Sequence, residues 1–222
     1  MRREKAASTP TNVKVKKAFH MEFKNTAQKL AWSSFEQHDV LFLLGPAGVG
    51  KTFLAMAFAI SELLSKKKKK IILTRPIVDA GEHLGYLPGT FQDKINPYLM
   101  PLYDSMDALV GIDTQERDKV NSAIEIAPLA YLRGRTFVNS VCILDEAQNC
   151  TKAQIILFLT RLGEDSKIII TGDPTQSDLH GTPYINEATK LLSSVPGISI
   201  MEFNEGQIVR HPLVGRILEK LK

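Results

Sequence analysis

The sequence predicts an α/β domain: a parallel sheet of five strands with helices on both faces. Three observations lead there. Short apolar runs alternate with longer helix-compatible stretches along the chain, the order that βαβ units produce. Runs such as Val40–Leu44 and Val141–Leu144 are apolar at every position, as strands covered on both faces require. The first run breaks directly into Gly45-Pro46-Ala47-Gly48-Val49-Gly50-Lys51-Thr52, and a helix-forming stretch follows at once.

Taken in order, residues 1–20 are basic and polar, carry Pro10 and lack periodicity. They read as a flexible arm ahead of a single domain over 21–222. Thr26–Gln37 reads as a helix that Asn25 or Thr26 can cap. Val40–Leu44 is the first strand and Phe53–Leu64 the helix behind it. Five lysines, Lys66–Lys70, suit that helix's C-terminal turn. Ile71–Thr74 is the second strand. Residues 75–115 are rich in Gly and Pro and read as irregular with helical pieces, and Gln115–Ala127 reads as a helix. Val138–Leu144, Lys167–Thr171 and Ile198–Phe203 supply the remaining strands. Lys152–Leu162, Glu187–Leu192 and Pro212–Leu221 supply the remaining helices.

Composition narrows the class. Of 222 residues, 44% are hydrophobic, enough for a substantial core, and the net charge of +4 permits a nucleic-acid partner without demanding one. Cys142 and Cys150 lie beside apolar strands without C-x-x-C spacing. They read as small core residues in a reducing, cytoplasmic setting. No apolar stretch approaches a membrane span of roughly 20 residues, so no membrane partner is expected.

The pattern G-x-x-x-x-G-K-T between strand and helix is a phosphate-binding loop. Its glycines let the backbone turn tightly and aim N–H groups inward, and the helix start favours an anion. Gly45, Pro46, Ala47, Gly48, Val49, Gly50, Lys51 and Thr52 thus form a cradle for a nucleoside triphosphate. Lys51 reaches its β- and γ-phosphates, and the Thr52 hydroxyl is a ligand for Mg²⁺. The third strand ends in Asp145-Glu146. Ligands of a parallel sheet lie at the carboxyl ends of its strands. Asp145 is therefore a second Mg²⁺ ligand, and Glu146 the group that activates the attacking water. The fourth strand delivers Asp173 and Gln176 to the same edge, where the Gln176 amide can both hold water and sense the γ-phosphate. Arg75, Arg133, Arg135, Arg161 and Arg210 are all candidates to neutralise developing charge.

Asp145-Glu146-Ala147-Gln148-Asn149 and Gly172-Asp173-Pro174-Thr175-Gln176 resemble motifs II and III of superfamily 1 helicases. The chain is more similar still to PhoH-like ATPases. Arg75–Glu82, Leu84–Gly89, Pro97–Asp104, Pro128–Thr136 and Val209–Val214 carry that likeness. The resemblance covers about residues 25–220. It implies a RecA-like P-loop NTPase fold, hydrolysis of ATP with Mg²⁺, and a link to RNA and phosphate stress. It also implies that Gln28 reads the adenine edge, as in a helicase Q motif, and that Arg210 is the arginine finger. A superfamily 1 helicase closes its cleft between two RecA-like domains, and this chain has length for one. Self-association into a ring, a hexamer being favoured, would complete each cleft on single-stranded nucleic acid, RNA rather than DNA. The alternative is an ATP-switched assembly module that hydrolyses slowly.

Overall fold

The computed structural model describes residues 13–15, 19–76, 100, 102–109, 114–176, 178 and 181–209. Arg210, the expected helix over 212–221 and most of the expected arm lie outside these residues. Strands β1 (Val13–Val15) and β2 (Phe19–Met21) pair antiparallel, with Val13 opposite Met21. The sequence reading gave this stretch no regular structure. Both runs alternate apolar and polar residues, but three residues each are too few for a period of two to stand out.

The central sheet has six strands, one more than expected: β3 (Val40–Leu44), β4 (Lys70–Thr74), β5 (Ile124–Ile126), β6 (Ser140–Leu144), β7 (Lys167–Gly172) and β8 (Ile198–Glu202). Their spatial order is β5-β4-β6-β7-β3-β8, and every pairing is parallel. The additional strand is β5. The expected helix over Gln115–Ala127 stops at Ala123, where Ile124-Glu125-Ile126 pairs with Ile71–Leu73 instead. Two β-branched residues flanking a polar one favour an edge strand over a further helical turn.

Helices α1 (Thr26–Gln37), α2 (Lys51–Leu64), α3 (described over 102–109) and α4 (Thr114–Ala123) precede β5; α5 (Lys152–Leu159) and α6 (Tyr184–Leu192) follow β6 and β7. Alternation along each strand divides the core. Leu41, Leu43, Ile71, Leu73, Val141, Ile143 and Ile169 face α1 to α4, with Phe35 and Phe58 stacked at 5.2 Å. Val40, Phe42, Leu44, Ile72, Cys142, Leu144, Ile168 and Ile170 face α5, α6 and the turn Leu129–Leu132. Burial on both faces explains why the central runs Val40–Leu44 and Val141–Leu144 are apolar at every position. Among the described residues no helix is long and apolar enough to cross a membrane.

Register sets the site. Leu44 lies opposite both Gly172 and Glu202, and Thr74 opposite Leu144. The carboxyl ends of β3, β4, β6, β7 and β8 therefore open on one edge. Strand β7 lies between β3, which leads into the glycine-rich loop, and β6, which leads into Asp145.

Candidate nucleotide site

The loop between β3 and α2 turns on three glycines with positive φ: Gly45 at 142°, Gly48 at 91° and Gly50 at 90°. Gly45 also admits no side chain, because a Cβ there would lie 2.5 Å from the Phe203 carbonyl oxygen. Gly50 caps α2, whose first turn holds no acidic residue. The positive end of the helix dipole is thus left for an anion. Lys51 folds back over the loop, and its Nζ donates to the carbonyl oxygens of Gly45 at 2.6 Å and Pro46 at 2.9 Å.

Two segments brace this loop. Asn25 caps α1 by accepting from the Gln28 N–H at 2.9 Å. The buried Gln28 side chain donates from Nε2 to the Val49 carbonyl at 3.2 Å and accepts from the Lys24 N–H at 2.8 Å. Beyond β8, the Val209 N–H donates to the Gly48 carbonyl at 2.9 Å. Gln28 therefore sits against the loop with both ends of its amide engaged by the protein.

The acids meet the loop from β6. Asp145 is 1% exposed. Its Oδ1 accepts from Thr52 Oγ1 at 2.8 Å and from Thr171 Oγ1 of β7. Its Oδ2 is buried without a hydrogen-bond partner, with Arg75 Nη1 at 3.8 Å. Glu146 takes a left-handed backbone, φ 55° and ψ 42°; a positive φ is uncommon for a non-glycine residue, and Lys66, Asn139 and Asp165 share it. Its Oε1 lies 3.6 Å from Arg75 Nη2, and its Oε2 accepts from Gln148 Nε2 at 2.5 Å. Gln148 Oε1 in turn accepts from the Asp173 N–H at 3.0 Å. Asp173 Oδ1 accepts from the Thr175 N–H and hydroxyl, and the Gln176 N–H donates to the Asp173 carbonyl, leaving Gln176 exposed at the rim.

Of the residues singled out from sequence, the structure joins Lys51 to Gly45 and Pro46, and Thr52 to Asp145, with Glu146 beside them. Gln28 lies behind the loop, Gln176 stands at the rim, and Arg210 is outside the described residues. A divalent cation fits the pair Thr52 and Asp145. The carboxylate keeps one buried oxygen without a hydrogen bond while the Thr52 hydroxyl bonds the other, and such hard oxygen donors are what a divalent cation would take. Sequence reading missed Thr171 and Gln148. Gln148 stands two residues after Glu146, a signal that could have been weighed; Thr171 depended on knowing that β7 separates β3 from β6. Among the candidate arginines, Arg75 reaches the acids, Arg135 pairs with Glu125 at 2.5 Å, and Arg161 donates to the Arg135 carbonyl at 2.9 Å.

A cleft of 430 Å³ opens beside the loop between Gly45, Pro46, Asp173, Asn186 and Phe203. A larger one of 580 Å³, near Tyr103, Met106 and Arg117, lies at the far sheet edge and includes none of these motif residues.

The chain is similar to known proteins over most of its length. A family model described as PhoH-like protein matches residues 20–222. A PhoH-like protein of Bacillus subtilis (strain 168) is 49% identical over 198 residues, covering 88% of this chain and 62% of the relative. Protein PhoH of Escherichia coli (strain K12) is 40% identical over 200 residues, covering 88% of this chain and 56% of the relative. The chain thus spans less than two thirds of the length of these curated relatives. Among solved structures, the large terminase of a thermophilic bacteriophage superposes with a TM-score of 0.57 at 9% identity, over 89% of this chain and 50% of the terminase. That likeness is one of fold.

Proposed function

Because the chain belongs to the PhoH-like family, we propose that it hydrolyses ATP with Mg²⁺, coupled to single-stranded nucleic acid, RNA before DNA, in a homo-oligomeric ring. The observation that supports the hydrolysis best is the junction at Asp145. The Mg²⁺-ligand candidate from β6 is hydrogen-bonded to Thr52 of the phosphate loop, and Glu146 follows it directly. In the mechanism we infer, Lys51 exchanges its bonds to the Gly45 and Pro46 carbonyls for bonds to the β- and γ-phosphates. The N–H groups of the 45–52 loop surround the phosphate chain. Thr52 and Asp145 would hold Mg²⁺, which supplies positive charge against the phosphates when bound. Glu146 takes the proton of the attacking water. Gln176 orients that water against the γ-phosphate. Gln28 reads the adenine edge if it exchanges a present partner for the base. Arg210 from a neighbouring protomer meets charge on the leaving phosphates.

The deciding experiment is ATP turnover and nucleotide affinity for Lys51→Ala and Glu146→Gln, with and without single-stranded RNA. Lys51→Ala is expected to lose productive binding. Glu146→Gln is expected to bind normally and lose about 10²–10⁴-fold in kcat. Near-normal turnover in Glu146→Gln would remove Glu146 from the mechanism. No RNA or DNA stimulation, and no salt-sensitive binding at low ionic strength, would favour the assembly-module alternative. For Arg210, inactive Arg210→Ala and inactive Glu146→Gln proteins are mixed and reassembled. Recovery of turnover indicates action across an interface; a dead mixture of assembled protein rejects it.

A further inference from the structure

Arg75 follows the last residue of β4, and its guanidinium bridges the two acids. Nη1 lies 3.8 Å from Asp145 Oδ2 and Nη2 lies 3.6 Å from Glu146 Oε1. Both separations exceed hydrogen-bonding distance, so charge, not directed bonding, links the group to the two acids. At Asp145 that charge matters. Oδ2 is buried without a hydrogen bond, and an uncompensated carboxylate in such a place is costly. Arg75 faces it as a counter-charge, while Thr52 and Thr171 both engage the other oxygen, Oδ1. Oδ2 is also the oxygen that a divalent cation would seek.

We propose that Arg75 is a positioning residue: an internal counter-cation of Asp145 and Glu146 that arriving Mg²⁺ displaces, so that metal binding also unfastens Glu146. Repulsion between the metal and the guanidinium drives Arg75 off Asp145, and because one guanidinium spans both acids, Glu146 Oε1 is released with it. Gln148 still holds Oε2 at 2.5 Å, so Glu146 is freed on one oxygen and kept in place by the other. The arrangement keeps the water-activating acid engaged until the metal is present. This inference rests on the reading of Asp145 as a metal ligand.

The test measures affinity for fluorescent N-methylanthraniloyl-ADP in EDTA and in saturating Mg²⁺, which requires no turnover. In Arg75→Gln two uncompensated carboxylates face the phosphates when metal is absent, so affinity falls in EDTA and stays near wild type in Mg²⁺. The Mg²⁺/EDTA affinity ratio is expected to rise about fivefold or more. Arg75→Lys keeps the charge, but a point ammonium cannot span both acids, so its ratio should lie between the other two. A ratio unchanged or lowered in a cooperatively folding Arg75→Gln overturns the proposal. Should that variant fail to fold, an Arg75→Lys ratio no higher than wild type does the same. Asp145→Asn separates the two claims. Its ratio should collapse; if it stays at the wild-type value, the metal-ligand reading fails, whereas a collapse alongside unmoved Arg75 variants refutes the role of Arg75 alone.

Discussion

Thr52 Oγ1 donates to Asp145 Oδ1 at 2.8 Å, tying the first turn of α2 to the end of β6. With β7 lying between β3 and β6, that bond spans the strand that contributes Thr171 to the same oxygen. The carboxylate is held as an acceptor on one side and left without a hydrogen bond on the other.

The first prediction is that Asp145→Asn trades function for stability. The amide oxygen still accepts from Thr52 and Thr171, and losing the buried charge outweighs the unpaired Nδ2 donor that takes the place of Oδ2. Chemical denaturation should show stability unchanged or raised by about 1 kcal/mol, while Mg²⁺-dependent tightening of nucleotide binding vanishes. A clear loss of stability would mean that Arg75 compensates Asp145 more fully than 3.8 Å suggests.

A second prediction ranks two loop glycines. Both have positive φ, but a Cβ on Gly45 would meet Phe203 backbone oxygen at 2.5 Å, whereas one on Gly50 meets only Gln28 Nε2 at 3.6 Å. Gly50→Ala should cost about 1–2 kcal/mol from backbone strain. Gly45→Ala should cost more, about 3 kcal/mol or above, because Phe203 and the end of β8 must move. Equal costs in denaturant melts would show that the Phe203 contact relaxes freely.

The phosphate loop and the acid pair were legible because each is compact in sequence: a fixed spacing of Gly, Lys and Thr, and two acids closing an apolar run. The alternation of strands and helices gave the layers for the same reason. Strand β5 was not legible, because three residues at the end of a helix pattern carry too little periodicity against a neighbouring strand's pairing. Nor were Thr171 and Arg75 as neighbours of Asp145. Their proximity follows from the strand order, which puts β7 and β4 on either side of β6, and no local pattern encodes that order. Gln28 illustrates the opposite limit. Its motif position suggested a ligand contact, while its engagement by Val49 and Lys24 comes from how the start of α1 lies on the loop.

The third prediction concerns the thiols. Burial pushes the Cys150 thiol up to about 12 and raises that of Cys142 as well. Neither should react with a thiol reagent at pH 8 until the protein unfolds. The folded thiols stay neutral where unfolded ones ionise, so their contribution to stability is complete below the unfolded pKa of about 8.5. It is lost as pH climbs from there toward the raised folded values. Stability measured from pH 8 to 11 should fall, and a Cys142→Ala, Cys150→Ala protein should fall less steeply. Identical slopes would assign the loss to other groups.

The last prediction separates two jobs of Gln148. Its Nε2 holds Glu146 and its Oε1 receives the Asp173 N–H. Gln148→Ala removes both, leaving a buried N–H unpaired, and should cost about 1–3 kcal/mol of stability. Gln148→Glu keeps an acceptor for Asp173 but sets a second carboxylate against Glu146. If Gln148 served only to brace the end of β7, folded Gln148→Glu would retain turnover, whatever the buried second carboxylate costs in stability. If its bond to Glu146 matters for catalysis, kcat of the folded variant should fall by about tenfold or more, with KM little changed, because an acid repelled from its position no longer meets the water. Melting curves fix the temperature at which each variant is folded, and steady-state kinetics there decide between these outcomes.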